Sequence, residues 1–68
     1  MKNWSADFCN DPHDDYNLVV EVLRDNEDMA VIKKIDGKLE MQWYPCEHKI
    51  AVPVDWLLAL LGEATKRL

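Results

Sequence analysis

The sequence has little glycine, proline or cysteine, and each shortage excludes a class of protein. Two glycines and three prolines in 68 residues argue against a disordered or low-complexity chain. Two cysteines are too few for the disulfide framework of a small secreted domain. The longest apolar run, residues 56–61, has six residues, which is far short of a membrane span. Because the first residues also lack the apolar segment of a signal peptide, we expect a folded cytoplasmic domain.

Familiar catalytic motifs are also missing. The chain contains no phosphate-binding loop, no Cys-x-x-Cys motif and no Ser-His-Asp signature. Asp11, His13, Asp14 and Asp15 form a polar cluster, but it lacks the alternating acids and the glycine of an EF-hand loop. A general base would also need a pocket that perturbs its pKa. We therefore expect a protein that is not an enzyme and that binds no cofactor.

Four residues have the chemistry of zinc ligands. Cys9, His13, Cys46 and His48 would supply two thiolates and two imidazoles, but their spacing departs from that of structural zinc sites. The two thiols offer a disulfide as an alternative, which a reducing compartment disfavours. We expect free cysteines and no metal, with both alternatives left open.

What the sequence does contain is an uneven distribution of acid. Residues 1–28 carry a net charge of −6, whereas residues 29–68 carry +1. A negative surface attracts a basic protein and repels nucleic acid and anionic membranes. Lys33, Lys34 and Lys38 are too few to form a phosphate-binding surface. The predicted partner is therefore a basic protein, rather than nucleic acid or a membrane, and mimicry of nucleic acid by the acids is an alternative.

The predicted binding residues are the acids of this end together with two aromatic residues. Tryptophan and tyrosine dominate interface hot spots, and the aromatic residues of this chain are too many for one face of a small sheet. The predicted set comprises Asp11, Asp14, Asp15, Glu21, Asp25, Glu27, Asp28, Tyr44 and Trp56.

Alternating apolar residues predict an α+β fold with a four-stranded antiparallel meander. The expected strands are residues 17–24, 29–35, 38–44 and 49–52. Asp36 and Gly37 form a type I′ hairpin signal. Residues 1–16 show no clear period and are expected to form an acidic N-terminal arm, attached to a single α+β domain over residues 17–68.

A helix is expected over residues 53–67, opened by Pro53, and packed on one face of the sheet. The stripe predicted to face the sheet comprises Val54, Leu57, Leu58, Leu61, Ala64 and Leu68. Trp56 and Leu60 fall beside that stripe, so the helix is apolar around more than half its girth. This surplus predicts a homodimer, with Trp56 at the contact.

Three stretches resemble small acidic immunity proteins of bacterial polymorphic-toxin and contact-dependent inhibition systems. They are DDYNLVVEV (residues 14–22), DGKLEM (36–41) and IAVPVDWLL (50–58). The resemblance implies a compact cytoplasmic domain that binds and blocks a cognate toxin, such as a basic nuclease. It carries over no individual binding residue. The alternatives are a homo-oligomeric interaction module and an acidic regulator from a phage or mobile element.

Overall fold

Four antiparallel strands form one sheet in chain order, and a single helix follows them. The computed structural model describes residues 3–68. Its elements are β1 (Trp4–Asp11), a 3-10 turn (Pro12–Asp14), β2 (Asn17–Arg24), β3 (Glu27–Ile35), β4 (Lys38–Trp43) and α1 (Val54–Arg67). The strand order is β1-β2-β3-β4, so the predicted α+β meander with a C-terminal helix is confirmed. No helix in the described part of the chain is long and apolar enough to cross a membrane.

The strand predicted over residues 49–52 is wrong. Residues 44–53 form neither strand nor helix and carry the chain from β4 to α1. The missing strand is β1, which comes from the segment expected to be an arm, and it pairs with β2 from Trp4 opposite Arg24 to Asp11 opposite Asn17. Met1 and Lys2 lie outside the described residues. The fold therefore draws its fourth strand from the acidic end of the chain.

Two tight turns set the register of the central strands. Asp25 and Asn26 join β2 to β3 with φ of +52° and +68°, and Asp36 and Gly37 join β3 to β4 with φ of +51° and +80°. Type I′ turns need positive φ at both central positions, which Asp, Asn and Gly tolerate. The predicted Asp36–Gly37 hairpin is confirmed, and β3 begins at Glu27, earlier than expected.

The core lies between one face of the sheet and α1. Its buried members are Val20, Val22, Ala30 and Ile32 from β2 and β3, with Leu60 and Ala64 from α1. Partly buried residues that pack around it are Trp4, Ala6, Phe8, Met41, Trp56 and Leu68. The strands therefore present alternate residues to the helix. Val19, Met29 and Val31 do not belong to this cluster, yet they are also buried, at 1%, 2% and 8% exposed.

The helix packs with only part of the predicted stripe, since Ala64 and Leu68 contact the core as expected. Leu60 and Ala64 are buried, whereas Val54 and Leu58 of the predicted stripe are 67% and 63% exposed. The apolar arc of α1 is so wide that its own pattern does not choose the contact side, and tertiary contacts decide. Trp56 lies one turn before Leu60, and its ring is 5.9 Å from that of Trp4. Pro53 occupies the N-cap position, directly before the first helical residue.

Candidate functional site

The face of the sheet that lies away from α1 carries three acids on β1 and β2. Trp4, Ala6 and Phe8 pack around the core, so the odd-numbered residues of β1 project to the opposite side. Asp7 and Asp11 are among these, and Glu21 of β2 lies on the same side because Val20 and Val22 face the core. We call Asp7, Asp11 and Glu21 the acidic face.

Two members of the acidic face lie directly opposite each other. Asp7 pairs with Glu21 in the β1–β2 register, and both side chains are exposed. Across the rest of the sheet, Glu21 is followed by Val31 and then by Gln42, so no base occupies this row. Like charges in this position destabilise a sheet by about 0.2–1 kcal/mol, and the fold accepts that cost here.

Cys9 lies between Asp7 and Asp11 on the same side of β1 and is paired with Val19. Burial raises the pKa of the Cys9 thiol above its ordinary value. The charge of Glu21 and a hydrogen bond with its side chain raise that pKa further, as do the charges of Asp11 and Asp7. The raised pKa of Cys9 therefore reflects in part the negative potential of the acidic face, because such a potential disfavours a thiolate.

The β3–β4 half of the same face is balanced in charge. Lys33 lies directly opposite Glu40, an arrangement of opposite charges that favours the sheet. Gln42 also donates a hydrogen bond from Nε2 to Oε1 of Glu40, at 3.0 Å. The charge imbalance is thus confined to β1 and β2.

Two further acids, Asp14 and Asp15, lie in the connection that follows β1 at one end of the sheet. The Asp11 carboxylate accepts a hydrogen bond from the His13 amide at 2.9 Å, and the Asp11 carbonyl accepts one from the Tyr16 amide at 2.8 Å. These bonds hold the short connection in which Asp14 and Asp15 lie. Asp11, Asp14 and Asp15 therefore lie at the same end of the sheet, in and beside this connection.

The other predicted acids lie at the opposite end of the sheet. An eight-residue strand separates the two ends by about 26 Å at ~3.3 Å per residue. Asp25 exchanges two hydrogen bonds with Asn3, through its carboxylate at 2.9 Å and its amide at 2.8 Å. Glu27 lies opposite Arg24, and Asp28 is exposed beside them. Asp25 thus ties down the start of β1, while Asp28 adds charge far from Asp11.

The two predicted aromatic contacts lie away from the acidic face. Tyr44 directly follows β4 and is 46% exposed. It lies at the opposite edge of the sheet from β1. Trp56 is half-buried and packs against Trp4, which is also 6.3 Å from Trp43. A substitution of Trp56 would therefore disturb the core. The sequence prediction also omitted Asp7, whose position opposite Glu21 depends on the pairing of β1.

Cys9 and Cys46 are both free. Within residues 3–68, no group of three or more His, Cys, Asp or Glu side chains is arranged to hold a metal ion. The four candidate zinc ligands are therefore not brought together. The chemistry available at the acidic face is attraction of positive charge.

No protein-family model, curated protein or solved structure is significantly similar to this chain.

Proposed function

We propose that this chain is a non-enzymatic protein-binding domain that covers a positively charged surface of a basic protein, as an immunity protein covers its toxin. The acidic face, extended by Asp14 and Asp15, is the binding surface. The domain acts in the bacterial cytoplasm, a reducing compartment that suits two free cysteines.

The Asp7–Glu21 pair is the observation that supports the proposal. A 68-residue domain has a small margin of stability, and two exposed carboxylates placed opposite each other reduce it. A lysine or arginine of a partner would remove the repulsion on binding and form charge-assisted hydrogen bonds. The arrangement therefore weakens the free fold and favours the complex.

The extent of the acidic surface favours a folded protein as the partner. Asp7 and Asp11 are four residues apart on one strand, which corresponds to about 13 Å. Glu21 widens this line onto β2, and Asp14 and Asp15 lengthen it. Such a surface matches several basic side chains held on a scaffold, and it steers their approach over distances near the Debye length.

The test is the association rate with a partner captured from the native host by cross-linking and identified by mass spectrometry. The variant Asp7→Asn/Glu21→Gln should slow association by about tenfold or more at low ionic strength, because surface charges act mainly on the encounter. Stopped-flow fluorescence at several salt concentrations measures this rate.

The matched control removes the same charge elsewhere. Asp55 and Glu63 are exposed on α1, so Asp55→Asn/Glu63→Gln alters net charge equally but leaves the acidic face intact. We expect this control to change the rate by much less. Equal slowing by the two variants, or a rate indifferent to both and to salt, would refute the acidic face as the binding surface.

A further inference from the structure

One side of α1 is apolar and exposed, next to the β4 edge of the sheet. Val54, Leu58 and Leu61 are spaced by four and three residues, so they share a side of the helix. On β4, Leu39 and Trp43 are 37% and 41% exposed. A groove of about 290 Å³ separates the two elements. Its lining residues are Ile32, Leu39, Glu40, Met41, Leu61, Ala64 and Thr65.

The backbone of β4 has an open side along this groove. β4 is the last strand of the sheet, and the Tyr44 amide donates to the Met29 carbonyl of β3 at 2.9 Å. Because backbone groups alternate in direction along an antiparallel strand, the N–H and C=O groups of Leu39, Met41 and Trp43 point away from β3. The side chains of these three residues lie on the helix side. The open edge and the apolar groove therefore belong to the same residues.

We propose that two copies of this chain associate through antiparallel pairing of their β4 strands. The two-fold axis passes by Met41, so that Met41 lies opposite Met41 and Leu39 lies opposite Trp43 of the second copy. The result is one continuous sheet of eight strands, four from each copy. The three outward-facing residues of each copy then form about six backbone hydrogen bonds across the axis.

Side-chain direction, charge and the length of paired strand select this register, because Met41 lies midway between Lys38 and Tyr44 and its register pairs all of β4. Antiparallel partners must share a face of the sheet, so the axis must pass through a residue of β4. Centring on Met41 places Glu40 opposite Gln42 and Lys38 opposite Tyr44. Centring on Glu40 instead would place that carboxylate opposite itself, which is unfavourable. A second copy is thus compatible with this edge in charge, and it is complementary to the edge in hydrogen bonding and in apolar surface.

The acidic faces do not oppose this association. They lie on β1 and β2, and in the paired sheet the two β1 strands are the outermost. Seven strand spacings separate them, about 34 Å, which is several Debye lengths at physiological salt. The pairing also brings the exposed side of each α1, with Leu58 and Leu61, toward the axis, where it adds apolar contact.

Sedimentation velocity tests the proposal on the full chain from about 1 µM to about 1 mM. The mass should rise with concentration from 7.9 kDa toward that of two copies. Leu58→Glu should weaken dimerisation by about tenfold or more, because it places a carboxylate in an apolar interface. Ala59→Glu is the control: Ala59 is exposed, and it adds the same charge on the opposite flank of α1. We expect it to leave dimerisation nearly unchanged.

A second variant tests the strand pairing itself. Leu39→Pro removes an outward N–H that makes no bond to β3, and Leu39 is exposed, so proline is compatible with the free edge but removes hydrogen bonds to Trp43 of the second copy. Hydrogen exchange should show Leu39, Met41 and Trp43 amides protected in the dimer and not in the diluted monomer. A wild-type chain that stays monomeric at the highest concentration overturns the proposal. So does a dimer insensitive to both variants, or protection of these amides only by a foreign protein.

Discussion

The two edges of the sheet present opposite surfaces. β1 carries the exposed Asp7 and the half-buried Asp11, whereas β4 exposes Leu39 and Trp43. An unpaired strand edge invites pairing with another chain, and charged residues are a common protection. The difference teaches that one edge is kept from pairing by charge, while the other is left open to it.

The positions of the arginines add to this difference between the two edges. The chain has two, Arg24 and Arg67, and both lie over aromatic rings of β1, Arg24 at 5.8 Å from the Trp4 centroid and Arg67 at 3.9 Å from that of Phe8. Both rings face the helix side. The two arginine charges therefore lie on the helix side of β1. Asp7 and Asp11 lie on the opposite side of the strand, where these arginines do not neutralise them.

The largest expected effect comes from a substitution in the hydrophobic core, against which residues of both edge strands pack. Ile32 is 2% exposed, and Ile32→Ala should reduce the free energy of unfolding by about 2–5 kcal/mol, with Ile32→Val costing about 0.5–1.5 kcal/mol. Urea unfolding with hydrogen exchange should show both edges losing protection together. If β1 amides remained protected while β4 amides exchanged, the edges would belong to separate cooperative units.

A smaller effect is expected on the helix side of β1, where Arg67 lies over the Phe8 ring. Arg67→Gln should reduce the free energy of unfolding by about 0.5–1 kcal/mol more than Lys66→Gln does, because only Arg67 stacks on Phe8. Both changes remove one positive charge from the last turn of α1, so their difference isolates the stacking. Equal values from thermal or urea unfolding would show that the stacking contributes nothing.

Relief of repulsion on the acidic face should be smaller still and of opposite sign. Asp7→Asn is expected to raise the free energy of unfolding by about 0.2–1 kcal/mol at low salt, because Asp7 lies opposite Glu21. Glu40→Gln should lower it by a similar amount, because Glu40 lies opposite Lys33. High salt should shrink both changes. The same sign for both variants would contradict the charge contrast between the two halves of the sheet.

The smallest expected effect is the titration of Cys9. Its folded-state pKa is raised, so its contribution to stability is complete below the unfolded-state pKa and is lost as the pH rises through the folded-state pKa. In a Cys46→Ser background, alkylation of Cys9 should require a higher pH in the folded chain than in urea. Asp7→Asn should lower that pH. Identical folded and unfolded profiles would remove Cys9 as a reporter of the acidic face.

Local patterns in the sequence predicted β2, the Asp36–Gly37 turn and the range of α1, because each depends on near neighbours. β1 was missed since Trp4 and Phe8 are spaced for either a helix or a strand, and the polar residues between them hide the alternation. The contact side of α1 was only partly right: Ala64 and Leu68 pack against the core as predicted, whereas Val54 and Leu58 are exposed. Apolar residues surround most of the helix, so tertiary contacts such as that between Trp56 and Trp4 choose among them.

The candidate site was predicted only in part. Uneven charge indicated the acids, and Asp11, Asp14 and Asp15 lie at one end of the sheet. The opposition of Asp7 and Glu21 was not visible, since it requires the register of β1 against β2. Tertiary pairing, rather than local composition, created that feature.

The two-residue turns of the meander have a consequence for how the chain folds. Hairpins with short turns close quickly and at little entropic cost, so β2, β3 and β4 are expected to pair before α1 docks. Since α1 follows the strands, a growing chain carries an uncovered apolar sheet until the helix has been made. The acid-rich first 28 residues, with a net charge of −6, then repel neighbouring nascent chains and keep this intermediate from aggregating.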